Sequence, residues 1–360
     1  MAPSTPILEE NEWPYLLSLL PGDLEESARR TTALVRCRNF PNAAALLRVI
    51  LAYAVSDLSL KDVAAWAHGL GLANITGPGL FYRLREAEPW LEELLGRVLA
   101  EEIHPDRPGR RLRIVDATVV TGPGAKGTEW RAHAQVDPST GRLSCVKLTD
   151  ASVGEEISLH ADSLWEGEIL LGDRAYATAH GLSAAKRAKA DVVVRLNPHN
   201  LRVCNLNRER IFLLNQQAEI PEMGGKTFEV LVPIPPESLR RSKSRKTWPL
   251  RKAEDWIAVR VVAARTRKGE VIWVLTTLSE ATASAGQVLE LYRLRWQVEL
   301  LFKRLKSLLH LDTLPSRQGP TARSWMLARL LAAALAQKLV DPSGALSPWG
   351  YGVGHSRLYP

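Results

Sequence analysis

A change of hydrophobic period at residues 105–109, Pro-Asp-Arg-Pro-Gly, constrains this chain more than any other feature. Before it, across about 43–100, apolar residues such as Ala45, Leu46, Val49, Ile50, Tyr53 and Ala54 recur at helical spacing. Glycine-rich breaks at 69–71 and 77–79 divide that stretch. After it the pattern becomes strand-like over 111–120, 129–136 and 142–148, with turn signals at 122–124 and 137–141. A helix repeats every three to four residues and a strand every two, so no single element satisfies both halves. The expectation is an all-helical amino-terminal unit followed by a three-strand meander. A helical stretch near 155–163, an apolar run at 169–171, a helix around 179–190 and a strand at 191–196 then predict a mixed sheet flanked by helices. Strand-like segments return at 227–233, 256–263 and 271–277, around a cationic run at 240–246, and suggest a β-rich insertion. A further helix, a turn at 314–320, a last apolar helix at 326–340 and a tail from 341 complete an α/β chain.

Ser59 and Thr76 can each cap a helix, giving a helix-turn-helix-like pair whose second member displays Tyr82, Arg83 and Arg85. Such a pair can dock on DNA, and it also occurs in proteins that touch none. The formal charge of +8 favours a polyanionic partner, with nucleic acid the leading class. Cys37, Cys145 and Cys204 are odd in number and far apart, so neither a disulfide framework nor a thiolate metal site is expected. The first residues lack the basic-then-apolar order of a signal peptide, and the helix at 326–340 carries Arg329, Gln337 and Lys338. No membrane role is expected, and a reducing cytoplasm fits.

Asp116 interrupts the apolar run 112–120, where alternation puts Ile114, Asp116 and Thr118 on one face. An unpaired buried carboxylate is costly, so a cation, a hydrogen-bond network or a metal must stand beside it. Asp173, in GDRAY, follows the run 169–171, at the strand end where α/β sheets place ligands. A bridge from Asp116 to an arginine and an N-cap role for Asp173 remain open as alternatives. Farther on, Tyr292, Arg295, Glu299, Lys303 and Lys306 line one side of a helix, while Leu291, Leu294, Val298, Leu301, Leu305 and Leu308 line the other. One carboxylate within a basic row suits a metal-binding group flanked by residues that grip phosphate oxygens. A solvated face with pairs such as Glu299–Lys303 has the same pattern. Three carboxylates drawn from a strand, a strand end and a helix can hold two Mg2+ ions roughly 4 Å apart, the arrangement that cleaves phosphodiesters. Mg2+ needs no histidine or thiolate, and the scattered His133, His160 and His180 read as structural.

Tyr292, Arg295, Glu299 and Lys306 meet the signature Y-x-x-R-x-x-x-E-x-x-x-x-x-x-K in full, preceded in order by Asp116 in VDAT and Asp173 in GDRAY. On these residues the chain resembles the bacterial DDE transposases of the insertion-sequence-four group, over roughly residues 43–340. The resemblance implies an RNase H-like core in which Asp116, Asp173 and Glu299 are the catalytic, metal-binding triad for two Mg2+ ions, with Mn2+ able to substitute. It implies that Tyr292 and Arg295 contact phosphate and that Lys303 and Lys306 lie along transposon-end DNA, with Arg174 a further DNA-facing cation. Trp273 in VIWVLTT is similar in setting to a tryptophan that stacks on a flipped base in relatives, although a tryptophan in a strand is also ordinary core. Trp296 is expected to pack beneath the site. The implied activity is cleavage at the ends of an insertion sequence and joining to target DNA, cut-and-paste through a hairpin. A homodimer would act on double-stranded DNA, both terminal inverted repeats and target, in the bacterial cytoplasm at the nucleoid. The expected organisation is a DNA-binding helical unit at 1–107, core at 108–196, β-rich insertion at 197–280, core again at 281–340 and a tail at 341–360. The alternatives are a DNA-binding protein without catalysis and a structure-specific nuclease on the same fold.

Overall fold

The computed structural model describes residues 12–56, 58–100, 110–122, 124, 127, 129–138, 140–155, 164–222, 224–234, 255–309, 314–315 and 319–339. The expected helical stretch beyond 155, the cationic run 240–246 and the tail from 341 lie outside the described residues.

Among the described residues six helices come first: α1 (Trp13–Ser18), α2 (Leu24–Arg30), α3 (Ala43–Val55), α4 (Leu60–Gly69), α5 (Gly77–Glu86) and α6 (Glu88–Ala100). Asn42, Ser59 and Thr76 each accept a hydrogen bond from the backbone N–H three residues on, at the starts of α3, α4 and α5. Each such cap stabilises its helix by about 1 kcal/mol. The expected helix pair is α4 with α5. They meet at their amino-terminal ends because residue 77 is glycine: a Cβ there would sit 3.2 Å from the Lys61 backbone nitrogen.

Among the described residues ten strands form one sheet: β1 (Leu112–Val120), β2 (Trp130–Asp137), β3 (Arg142–Asp150), β4 (Ile169–Gly172), β5 (Asp191–Arg195), β6 (Val203–Cys204), β7 (Arg210–Ile211), β8 (Gly225–Pro233), β9 (Trp256–Arg265) and β10 (Val271–Thr276). Their order is β3-β2-β1-β4-β5-β10-β9-β8-β6-β7. The meander β1–β3 is antiparallel, while β4 and β5 run parallel to β1, joined by α7 (Ala179–Arg187). The strands of 197–280 continue the same sheet, entering it through antiparallel pairing of β10 with β5.

Strand alternation sends Ile114, Leu171 and Val193 into one core and Val115, Leu170 and Val192 into another. Packed in the first are α8 (Ala285–Leu294), α9 (Trp296–Leu309) and α10 (Gly319–Leu339), with α3, α5 and α6 seated against α10. The second holds α7. The last helix begins earlier than expected, since Pro320 falls in its first turn, where a missing N–H costs no hydrogen bond. Arg323 of α10 pairs with Glu88 at 2.6 Å and Glu92 at 2.9 Å in α6, and donates to the Leu148 carbonyl of β3. The amino-terminal helices are thereby fastened to the far end of the chain. Among the described residues no helix is long and apolar enough to cross a membrane.

A buried ion pair locks the two strands that matter most below. Arg113 of β1 donates through Nε to Glu168 Oε1 at 2.7 Å, with both side chains almost wholly enclosed. Gln135 accepts from the same guanidinium, and the Trp165 N–H donates to the other Glu168 oxygen at 3.2 Å. The network ties β1 and β2 to the residue just before β4.

Candidate active site

Val115 lies opposite Gly172 in the parallel register of β1 and β4. The residues that follow, Asp116 in β1 and Asp173 just past the end of β4, are thereby carried to the same end of the two strands, close enough for the Asp173 charge to push the Asp116 carboxyl up. Gly172 is required immediately before Asp173, because a Cβ there would meet the Cβ and ring of the buried Tyr176 at 3.0 Å. Gly172→Ala should destabilise the fold by about 1–3 kcal/mol through overpacking and displace Asp173. Urea denaturation checks this; an unchanged midpoint would mean that the Tyr176 ring swings aside freely.

The third acid sits on α9. One helix is expected through 292–306, but the structure breaks it at Arg295, the residue between α8 and α9. Around the break the bonds close over three residues, Arg295 N–H to the Tyr292 carbonyl at 3.1 Å and Val298 N–H to the Arg295 carbonyl at 3.2 Å. That pattern tightens the chain locally. The Arg295 guanidinium reaches inward, 3.6 Å from Asp116 Oδ2 and 2.5 Å from Glu299 Oε1, and lies 5.8 Å from the Tyr292 ring centroid. One cation thus brackets the strand acid and the helix acid.

Burial pushes the Asp116 carboxyl up to about 6; its bond from the Ala117 N–H and the charge of Arg295 pull it down, and Glu155 and Asp173 push it up again. Burial also raises the Glu155 carboxyl, opposed by Arg131 and reinforced by Asp173. The Tyr176 hydroxyl is raised by burial and then by Asp116, Glu155 and Asp173. Three carboxylates and a tyrosine therefore share one field. Beside them a cleft of about 600 Å³ runs between β1 and α9, lined by Asp116, Ala117, Thr118, Glu299, Phe302, Lys303 and Lys306.

The structure thus gathers Asp116, Asp173, Tyr292, Arg295, Glu299, Lys303 and Lys306 at one end of the sheet, with Arg174 exposed beside Asp173. Glu299 remains 59% exposed and held by Arg295. Among the described residues no three His, Cys, Asp or Glu side chains close into a metal-binding cluster.

Two tryptophans sit otherwise than expected. Trp273 is 4% exposed, packed in the α7-side core with its ring 5.9 Å from Phe228, so it offers no face to a base. Trp296, expected beneath the site, is 42% exposed, because it opens α9 just past the break. On α5, Tyr82 is exposed with the Arg85 guanidinium 5.2 Å over its ring, and Arg83 pairs with Glu86 at 2.8 Å. These three stand outside the cleft.

Glu155 and Arg195 belong to the same neighbourhood and are not singled out by any motif. Glu155 follows β3 in a turn held by an Arg131 bond to the Val153 carbonyl at 2.9 Å, and an acid after a strand is too common a pattern to stand out. Arg195 ends β5, next to β4, and its charge acts on Tyr292. The strand-end rule that marks Asp173 applies equally to Arg195.

Fold and cleft together define a class: an α/β chain that sets acids at the ends of adjacent parallel strands beside an arginine and a lysine-lined cleft. The chain belongs to the DDE transposase family, since the transposase DDE domain matches residues 107–335. It is 34% identical over 361 residues to InsL, named for insertion sequence element IS186A of Escherichia coli (strain K12), covering 92% of this chain and 95% of that one. It is likewise 34% identical over 362 residues to the transposase for insertion sequence element IS421 of Escherichia coli, with the same coverage. Among solved structures, the piggyBac transposase synaptic complex with hairpin DNA aligns with a TM-score of 0.45 and 12% identity, over 92% of this chain and 73% of that one.

Proposed function

We propose that this chain is a DNA transposase that cuts the ends of its own insertion sequence and joins them to target DNA, with Asp116, Asp173 and Glu299 as its acidic triad on an RNase H-like core. The observation that carries the reading is the Val115–Gly172 register, which brings Asp116 and Asp173 to one end of the sheet, next to a cleft lined by Asp116, Glu299, Lys303 and Lys306. The strand order β3-β2-β1-β4-β5 supports the core assignment.

The residues fit a divalent ion. Glu155 and Asp173 push the Asp116 carboxyl up and Asp173 pushes Glu155 up, a crowding of negative charge that a cation relieves, and an all-oxygen donor set suits Mg2+ or Mn2+. Asp116 and Asp173 would hold two such ions with Glu299, and when bound these activate the attacking oxygen and stabilise the leaving one. The Arg295 charge works against the burial that raises the Asp116 carboxyl, and its guanidinium anchors Glu299. Lys303 and Lys306 line the cleft and seat the phosphates of the strand to be cut. No side chain serves as nucleophile: water makes the first nick, and the freed 3′-hydroxyl attacks the opposite strand, forming a hairpin as the old ester oxygen leaves. Residues 1–107 would add contacts through Tyr82, Arg83 and Arg85, with 197–280 as the β-rich insertion. Two copies would act together on the terminal inverted repeats, in the cytoplasm at the nucleoid.

Supercoiled DNA carrying the element's ends, incubated with Mg2+ or EDTA, tests this. Nicked, linear and rejoined products with Mg2+ alone are expected. Absence of cleavage with any divalent ion would favour a binding protein without catalysis, and cleavage without joining would favour a nuclease. Lys306→Ala should reduce the slope of log affinity against log salt by about one. An unaltered slope would place Lys306 off the DNA.

A further inference from the structure

The hairpin between β6 and β7, at the outer edge of the sheet, carries an arginine–aromatic surface that the cleft does not use. Its tip is closed by Asn205 N–H to the Glu209 carbonyl at 2.8 Å and Arg208 N–H to the Asn205 carbonyl at 2.9 Å, with Arg208 in a left-handed conformation at φ 67°. The Arg208 guanidinium lies 5.6 Å over the Trp256 ring and that of Arg210 lies 4.7 Å over the Phe212 ring. Neither arginine pairs with a carboxylate among the described residues. Glu209, the acid between them, is engaged by Asn205 Nδ2 at 2.9 Å. Beside the arginines, Leu206 is 66% and Phe212 56% exposed.

A guanidinium held over a ring is restrained while keeping N–H donors free, which lets it meet phosphate oxygens at reduced entropic cost. Exposed apolar side chains beside such arginines suit the sugar edges of a minor groove. The hairpin's edge strand, β7, stands seven strand positions from β1 in the sheet order. At the usual spacing that is roughly 30 Å, close to one helical turn of duplex. The separation lets one DNA molecule touch both places.

We propose that this hairpin is a second DNA-contact surface, in which Arg208 and Arg210 grip phosphates of duplex flanking the cut and Phe212 lies against its sugars. The inference rests on the reading of the cleft as a DNA-cutting site. Fluorescence anisotropy with a labelled random-sequence duplex about two turns long, over a range of salt, tests it on the full chain. The double variant Arg208→Ala, Arg210→Ala should lower the slope of log affinity against log salt by about two and weaken low-salt binding roughly tenfold or more. Phe212→Ala should weaken binding several-fold with the slope kept. Neither variant should weaken binding of a duplex too short to leave the cleft. Melting curves matching the wild type confirm that the variants fold. A slope and affinity equal to wild type would overturn the proposal, as would self-association of the double variant with DNA binding intact, which would make the arginines guards of an open sheet edge. Failure of the unaltered protein to bind duplex would instead remove the functional reading beneath it.

Discussion

Asp116→Asn should abolish DNA cleavage and, in the same molecule, stabilise the metal-free protein at mildly alkaline pH. Both effects come from one charge. Burial raises the Asp116 carboxyl from its ordinary 3.8 to about 6, so its ionised form is disfavoured in the folded state. A raised carboxyl contributes stability that is fully present below its unfolded value and is lost as pH rises through about 6. Above that the wild type carries a penalty on the order of 2–3 kcal/mol, which asparagine removes. Melting in EDTA should show the variant above the wild type at about pH 8, with the gap closed by about pH 4. Mg2+ should raise the wild-type midpoint and leave the variant unmoved. Cleavage should fall by at least roughly 10³-fold, or about 4 kcal/mol of barrier. Full activity would remove Asp116 from the chemistry, and equal melting at alkaline pH would show its charge to be compensated without metal.

The largest structural effect is expected from Glu168→Ala. That change leaves the enclosed Arg113 guanidinium without its carboxylate, at a cost of roughly 3–5 kcal/mol. Its consequence reaches the site, because the pair joins β1 to the start of β4, and the register of those strands sets Asp116 beside Asp173. Urea denaturation should show the loss, and residual cleavage by the folded fraction should also drop. Replacing Arg113 and Glu168 together with apolar residues of similar size should recover part of the stability, since Gln135 still loses its bond from Arg113 and the Trp165 N–H its bond to Glu168. If the single change costs under about 1 kcal/mol, water already reaches the pair and the register is secured by other contacts.

Much of this was legible in the sequence, for reasons local to the chain. The meander follows from alternation around Asp116, and α4 and α5 follow from caps at Ser59 and Thr76. The break at Arg295 was not legible: the apolar positions from Leu291 to Leu305 keep helical spacing whether the helix is whole or interrupted. Nor could local pattern show that β8, β9 and β10 extend the same sheet, since strand pairing joins residues far apart in sequence. The two tryptophans make the same point. Whether Trp273 or Trp296 faces solvent depends on which side of the sheet α7 covers and where α9 begins. Glu155 enters only through the field it shares with Asp116 and Asp173.

In the proposed reaction Asp116, Asp173 and Glu299 meet around shared divalent ions. Anomalous diffraction from crystals of the DNA-bound protein grown with Mn2+ tests it most directly. The expected result is manganese touching all three carboxylates, with the Arg295 guanidinium moved from Glu299 to a DNA phosphate. Manganese bound elsewhere, with Arg295 still closed on Glu299, would contradict it.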